Sequence, residues 1–186
     1  MKQIQSSKFY FIRHGQTDAN KNQQMCGGDW DIPLNKKGKE QALEASKLSH
    51  SLLKKIDHVF VSPMIRAKET AQILFTDINC TFEEVEGLRE WCVGDWESKP
   101  WSDVPNPFNT TEDPKNGETR LQFENRVVDT VSELIEKSKD KKILIVAHGA
   151  VAHTLFTFLG VDVPYIENAK IYEINGSQLK WTLSEV

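Results

Sequence analysis

Residues 9–17 read FYFIRHGQT, four apolar residues that run straight into Arg13-His14-Gly15. A short apolar run rich in aromatic and β-branched residues, without the alternation of a half-exposed strand, marks a strand buried on both faces. His58–Val61 (HVFV) and Ile143–Ala147 (ILIVA) have the same character. Ser62-Pro63 follows the first of these, with Arg66 one helical turn on, and His148-Gly149 follows the second. In open α/β sheets, ligands bind beyond the carboxyl ends of the strands. Three parallel strands would therefore deliver His14, His148, Arg13 and Arg66 to one rim. Any one of them is ordinary as a polar residue at a strand end. The coincidence of all four is what points to a site.

Helical patterns separate the strands. Within Lys39–Ile56 the residues Ala42, Ala45, Leu48, Leu52 and Ile56 recur at spacings of three and four, and Phe123, Val127, Val131, Leu134 and Ile135 do so later. Each set predicts one buried helix face. Ser62-Pro63 predicts a helix start, with serine as N-cap and proline at the first helical position, and the helix running through Ile65, Ile73 and Leu74. Val151–Leu159 predicts another helix, ended by Gly160. Ile171–Ile174 and Gln178–Leu183 flank Asn175-Gly176, a hairpin signal. Pro100–Gly117 holds four prolines and reads as a long irregular loop of the kind that serves as a lid or binding loop. The expected fold is α/β, a three-layer sandwich with a mainly parallel central sheet, helices on both faces and an antiparallel edge strand. A length of 186 residues suits a single domain over 1–186, with a lid or substrate loop around 91–118.

The bulk numbers narrow the class. A net charge of −4 argues against a nucleic-acid partner, which calls for a basic face. Phe9–Ile12 is too short for a signal-peptide core or a membrane span, so no membrane partner is expected. Cys26, Cys80 and Cys92 form no CxxC pair, which favours free thiols in a reducing, cytoplasmic setting. His148 and His153 stand five apart and no HExxH occurs, so neither a metal site nor a cofactor is expected. His50 and His58 read as structural or solvated, and His153 as a helix-packing residue, with contact to the pocket rim as the alternative. Trp30, Trp91, Trp96 and Trp101 fall near the expected site and suit either an apolar wall for a leaving group or loop anchors. Oligomeric state is left open, a homodimer included.

A rim with two guanidiniums suits a phosphomonoester, because arginine forks match phosphate oxygens in bidentate fashion. Taken together, Arg13-His14-Gly15-Gln16-Thr17, Ser62-Pro63 with Arg66-Ala67 and Thr70, Leu88-Arg89-Glu90, and Ala147-His148-Gly149 resemble the histidine phosphatase superfamily, also called phosphoglycerate mutase-like. The resemblance covers most of the chain in the family's order. Asn20, Gly28, Pro33-Leu34, Gly38, Gln41-Ala42 and Gly117-Glu118-Thr119 add to it. Two departures are Ser98 after Glu97, where glycine is common, and Ala147 before His148, where Ser or Thr is common.

The resemblance implies a set of roles. His14 is the nucleophile, forming a phosphohistidine through an unprotonated ring nitrogen. Arg13, Arg66 and a protonated His148 hold the phosphoryl oxygens, with Asn20, Thr17 and Gly28 as further substrate-binding residues. Glu90 donates the proton to the leaving oxygen and then activates water; Glu97, Asp95, Glu83, Glu84 and Glu86 compete for that role. The implied activity is a metal-independent phosphomonoesterase acting on a small phosphorylated metabolite. Gly94-Asp95-Trp96-Glu97 resembles the branch containing α-ribazole phosphatase, which points to α-ribazole 5'-phosphate; a phosphoprotein is a further option. Two readings compete. A phosphoglycerate mutase needs a basic wall, yet Trp91–Ala147 holds only Arg120 and Arg126, both within a predicted helix. A non-catalytic phosphate-binding module would not need a nucleophile and an acid together.

Overall fold

The computed structural model describes residues 7–162, 165–176 and 180–186. Among them a six-stranded sheet runs in the order β3-β2-β4-β1-β5-β6. Its strands are β1 (Lys8–Arg13), β2 (His58–Val61), β3 (Phe82–Glu84), β4 (Ile143–Ala147), β5 (Ile171–Gly176) and β6 (Trp181–Glu185). β4 pairs in parallel with both β1 and β2, and β2 with β3; β5 lies antiparallel to β1, and β6 to β5. The three buried strands lie where their composition placed them. β3 escaped notice because it is a three-residue edge strand carrying two glutamates, with Phe82 exposed.

The terminal hairpin departs from expectation. β5 continues through Asn175-Gly176, which pair with Thr182 and Trp181, so this dipeptide is strand and not turn. A Cβ at Gly176 would meet the Trp181 ring at 2.7 Å, and glycine is there for that close approach. The expected strand start at Gln178 lies outside the described residues.

Alternation along the strands sorts the core into two layers. Phe9, Phe11, Phe60, Ile143 and Ile145 face α5 (Arg120–Lys137) and α6 (Gly149–Phe158). Tyr10, Ile12, Val59, Val61 and Leu144 face α3 (His50–Leu53) and α4 (Ile65–Leu74). The whole predicted stripe of α5 is buried, each such side chain worth about 1.5–3 kcal/mol of burial. The single helix expected over 39–56 is instead α2 (Lys36–Leu48) followed by α3, interrupted at Ser49. Asn35 opens α2 by accepting the Gly38 N–H at 2.9 Å. Leu48 is 79% exposed, and the core takes Leu53 where the sequence reading took Leu52. α4 starts two residues later than Ser62-Pro63 implied, and Asp31 caps it from a distant loop by accepting the Ile65 N–H at 2.8 Å. The short α1 (Asp18–Lys21) completes the set. No helix among the described residues is long and apolar enough to cross a membrane.

Candidate active site

Because Arg13 is level with Ala147 and Val61 with Val146, the residues after β1, β2 and β4 emerge side by side. The His14 N–H still bonds Ala147 and the Ser62 N–H still bonds Val146, both at 3.0 Å, so the rim is an extension of the ladder itself. Gly15 and Gly38 interlock: a Cβ on Gly15 would lie 2.4 Å from the Gly38 carbonyl oxygen, and one on Gly38 would lie 2.1 Å from that of Gln16. The Gly15 N–H also donates to Thr70 Oγ1 (3.0 Å), whose hydroxyl donates to the Arg66 carbonyl (2.7 Å). The turn after β1 is thereby tied to the helix that carries Arg66.

His14 is buried, and its Nδ1 lies 2.7 Å from the Gly15 carbonyl oxygen. A carbonyl only accepts, so Nδ1 carries the proton and the Nε2 lone pair is free. Burial, then Arg66 and Arg13, hold the His14 pKa well below the ordinary histidine range, against the opposing pull of the Gly15 bond. Nε2 is therefore unprotonated at neutral pH.

His148 lies edge-on to His14, ring centroids 5.2 Å apart. Its Nε2 is 2.7 Å from Ser62 Oγ, which already accepts the Met64 N–H at 3.4 Å. Among the described residues the Ser62 hydroxyl proton has no other acceptor than Nε2, which leaves the His148 proton on Nδ1. Ser62, read from sequence as a helix cap, is the group that sets this tautomer. Burial, Arg66 and His14 push the His148 pKa well below its ordinary value, so the cationic form expected while a phosphoryl group is held is not the form of the ligand-free site. It offers a neutral N–H, until a dianion nearby reverses the local field.

Arg66 is fully buried, donating through Nη1 to the Trp30 carbonyl (3.1 Å) and through Nη2 to that of Gly27 (3.0 Å). Arg13 donates through Nη1 to the Ile166 carbonyl (2.9 Å). Arg13 Nε, Arg66 Nε and His148 Nδ1 are buried with no hydrogen-bond partner among the described residues. An unpaired buried donor costs about 1–3 kcal/mol, more if charged. Three of them grouped around His14 match an anion with several acceptor oxygens.

Glu90 lines the same cleft as His14. Its Oε1 accepts the Trp91 N–H (3.0 Å) and its Oε2 the Ala150 N–H (3.2 Å) at the start of α6. Burial raises its pKa above the usual carboxylate value, outweighing Arg66, the two backbone donors and Arg13. Among the competing acids, Glu97 accepts the Gly27 N–H behind the wall, while Glu83, Glu84 and Glu86 pair with Lys137, Lys68 and Arg89, and Asp95 accepts from Asn116. Glu90 alone of these reaches the cleft.

The cleft holds about 650 Å³. Arg13, His14, Asn20, Arg66, Glu90 and Gly149 line one side; Trp101, Val104, Pro105, Pro107 and Phe108 line the other. Two expected contacts are corrected. Thr17 is fully buried as the cap of α1, accepting the Asn20 N–H at 3.3 Å. Gly28 bonds the Trp91 carbonyl and the Arg89 guanidinium, leaving the lining to its neighbour Gly27. His148 is fully buried beside His14 and is not among the residues that line the cleft. His153, for which helix packing is the role the sequence prefers and rim contact the alternative, lines the cleft, stacked on Phe108 at 3.7 Å between ring centroids. It stands one turn beyond Gly149 on α6, a spacing visible in the sequence. Trp91 and Trp101 line the cleft, whereas Trp30 lends its carbonyl to Arg66. Asn168, unnoticed in the sequence, fixes the His14 carbonyl at 2.8 Å. Burial pushes the thiol of Cys26, also in the wall, up to about 11. No group of three or more His, Cys, Asp or Glu among the described residues is placed to hold a metal ion.

Comparison with known proteins agrees with this geometry. The family model for the histidine phosphatase superfamily (branch 1) matches residues 9–186. The chain is 32% identical over 179 residues to "Uncharacterized phosphatase PhoE" of Bacillus subtilis (strain 168), covering 94% of this chain and 91% of that protein. It is 27% identical over 191 residues to "Probable phosphoglycerate mutase GpmB" of Salmonella choleraesuis (strain SC-B67), covering 94% and 87%. The α-ribazole phosphatase of Shigella flexneri superposes with a TM-score of 0.80 at 26% identity, covering 97% of this chain and 96% of that one.

Proposed function

Since the chain belongs to branch 1 of the histidine phosphatase superfamily and is a phosphatase enzyme, we propose that it hydrolyses small phosphomonoesters through a phosphohistidine on His14. The observation that carries this is the His14 ring: Nδ1 is tied to Gly15, and Nε2 is bare beside three unpaired buried donors. Arg13, Arg66 and His148 Nδ1–H hold the phosphoryl oxygens, with Asn20 as a neutral partner. Nε2 attacks phosphorus in line, the bond to the ester oxygen breaks, and protonated Glu90 gives its proton to that oxygen. The Glu90 carboxylate next takes a proton from water. The resulting hydroxide attacks phosphorus, the P–N bond breaks, and inorganic phosphate leaves. Most of the rate comes from placing fixed donors around the equatorial oxygens.

Release of p-nitrophenol from p-nitrophenyl phosphate in the presence of EDTA, with acid-labile phosphate trapped on His14, is the expected result. Phosphate bound without turnover would favour a phosphate-binding module. Similarity to a protein named as a mutase keeps that reading in play, but both arginines of the intervening segment are committed elsewhere. Arg120 holds the Pro107 carbonyl and Glu124, and Arg126 holds Glu118. That leaves the loop wall without an arginine for a second phosphate or a carboxylate. Rapid formation of 2-phosphoglycerate from 3-phosphoglycerate with 2,3-bisphosphoglycerate would overturn the hydrolase assignment.

The finer reading is a small cytoplasmic metabolite with an uncharged, partly aromatic leaving group. Segment 91–118 acts as the substrate loop, and its Trp101 and Phe108 suit such a ring system. α-Ribazole 5'-phosphate is one ester with these properties. Three free cysteines fit a reducing compartment.

A further inference from the structure

The segment bearing Glu90 leaves a single turn at Glu86–Leu88 and runs on without regular structure, yet its carboxyl must stay within reach of one departing oxygen. Arg126 of α5 grips it. A guanidinium has five N–H donors. Nε donates to Glu118 Oε1 (2.8 Å) and Nη2 to Glu118 Oε2 (2.6 Å). Nη1 donates to the carbonyls of Gly87 (3.0 Å) and Arg89 (2.9 Å), and Nη2 also to that of Glu90 (3.4 Å). All five are used, and Arg126 does not line the cleft. This is the reverse of Arg13 and Arg66, whose Nε atoms are left for a ligand.

Glu118 closes the grip from the other side. Its Oε2 accepts the Cys92 N–H (3.1 Å), its N–H donates to the Cys92 carbonyl (2.8 Å), and its carbonyl accepts Trp91 Nε1–H (2.9 Å). The Arg126 guanidinium lies over the Phe123 ring at 5.1 Å, and Phe123 stacks on Trp91 with ring planes 4° apart. Residues 87–92 are thus pinned on both flanks of the acid, to a helix whose apolar face is buried in the core.

We propose that Arg126, oriented by Glu118, is a positioning residue for proton transfer, fixing the peptide units around Glu90 so that its carboxyl meets the leaving oxygen. This rests on Glu90 being the acid. A lysine keeps the charge but cannot reproduce the fork.

The test uses two esters of similar bulk, p-nitrophenyl phosphate, whose phenolate leaves without help, and 2-phenylethyl phosphate, whose alkoxide must be protonated as it departs. The readout is the ratio of kcat/KM for the alkyl ester to that for the aryl ester, since kcat/KM reports transfer to His14. General acid catalysis is worth roughly 10²–10⁴-fold. Glu90→Gln should lower the ratio about a hundredfold, and Arg126→Lys and Glu118→Gln about tenfold or more, in the same direction. A loss that falls equally on both esters, or no loss, in the Arg126 and Glu118 variants overturns the inference. A ratio unmoved by Glu90→Gln overturns the acid assignment itself, which is a separate result. Should Arg126→Lys fail to fold, Glu118→Gln decides on the same readout.

Discussion

The two sides of the cleft are built on different terms. The strand-end side takes most of its residues from the ends of β1, β2 and β4 and the first turns of α4 and α6, joined by Asn20 of α1 and by Glu90 from an irregular segment, and its imidazoles have assigned tautomers. The loop side comes from an irregular, proline-rich segment and presents mostly apolar surface, with His153 of α6 stacked against its Phe108. On the proposed mechanism the first side is a preorganised electrostatic device, so disturbing it should change the rate of chemistry. The second is a shaped apolar surface, so disturbing it should change which ester is held. Substitutions on the two sides should therefore separate in kcat and KM.

The largest effect belongs to His14→Ala, which removes the attacking nitrogen. Turnover should fall by roughly 10⁴-fold or more, with loss of acid-labile protein-bound phosphate. Residual phosphohistidine in this variant would place the nucleophile elsewhere. Arg66→Met should cost about 10²–10³-fold in kcat/KM, comparable to removing one preorganised oxyanion donor. It also strips partners from the Trp30 and Gly27 carbonyls, at about 1–3 kcal/mol each, so a lower melting temperature should accompany the kinetic loss.

The pH profile tests the same side more finely. In the proposed mechanism His14 works unprotonated, and its depressed pKa should keep activity high as pH falls, until well below 6.5. Glu90 works protonated there, and its raised pKa should carry activity upward from 4.5 before it declines. The profile of kcat/KM for an alkyl ester should thus peak on the acid side, and Glu90→Gln should flatten its alkaline limb at a lower rate. An alkaline limb that survives Glu90→Gln belongs to another group. Stability runs differently. The folded pKa values of His14 and His148 lie below the unfolded value, so their contribution is present above about 6.5 and is lost as pH falls through the folded values. The urea midpoint should accordingly drop between pH 7 and pH 5.

The contrast between the two sides is also a contrast in what a sequence discloses. Apolar runs ending in Arg13-His14, Ser62 and His148 made the strand-end side legible, because strand periodicity and the carboxyl-end rule fix position without knowledge of tertiary contacts. Glu90 lies in no regular element, and only its resemblance to a family motif marked it. Ser62 was misread because a serine before a proline signals a cap, while its partner His148 is far along the chain. Glu118 and Arg126 look in sequence like an acidic loop residue and a helix-surface base. Their partners, the carbonyls of residues 87–90, carry no side-chain signature at all. Thr17 and Gly28 were placed in the site by motif proximity, whereas local capping and close packing claim them.

The smallest effect, and the one that decides whether the loop side reads the leaving group, concerns the Phe108–His153 stack. His153 is pushed below its ordinary pKa by burial and by Arg120, so near pH 7 it is a neutral ring offering a flat face. Aromatic pairs are worth about 0.5–1.5 kcal/mol beyond the area they bury, which is up to roughly tenfold in affinity. Phe108→Ala and His153→Ala should each raise KM for an aryl ester by a few-fold at nearly constant kcat, and leave KM for methyl phosphate, too small to reach the stack, where it was. A KM rise shared equally by both esters would mean that the stack only pins the loop, and the two sides would then differ in architecture alone.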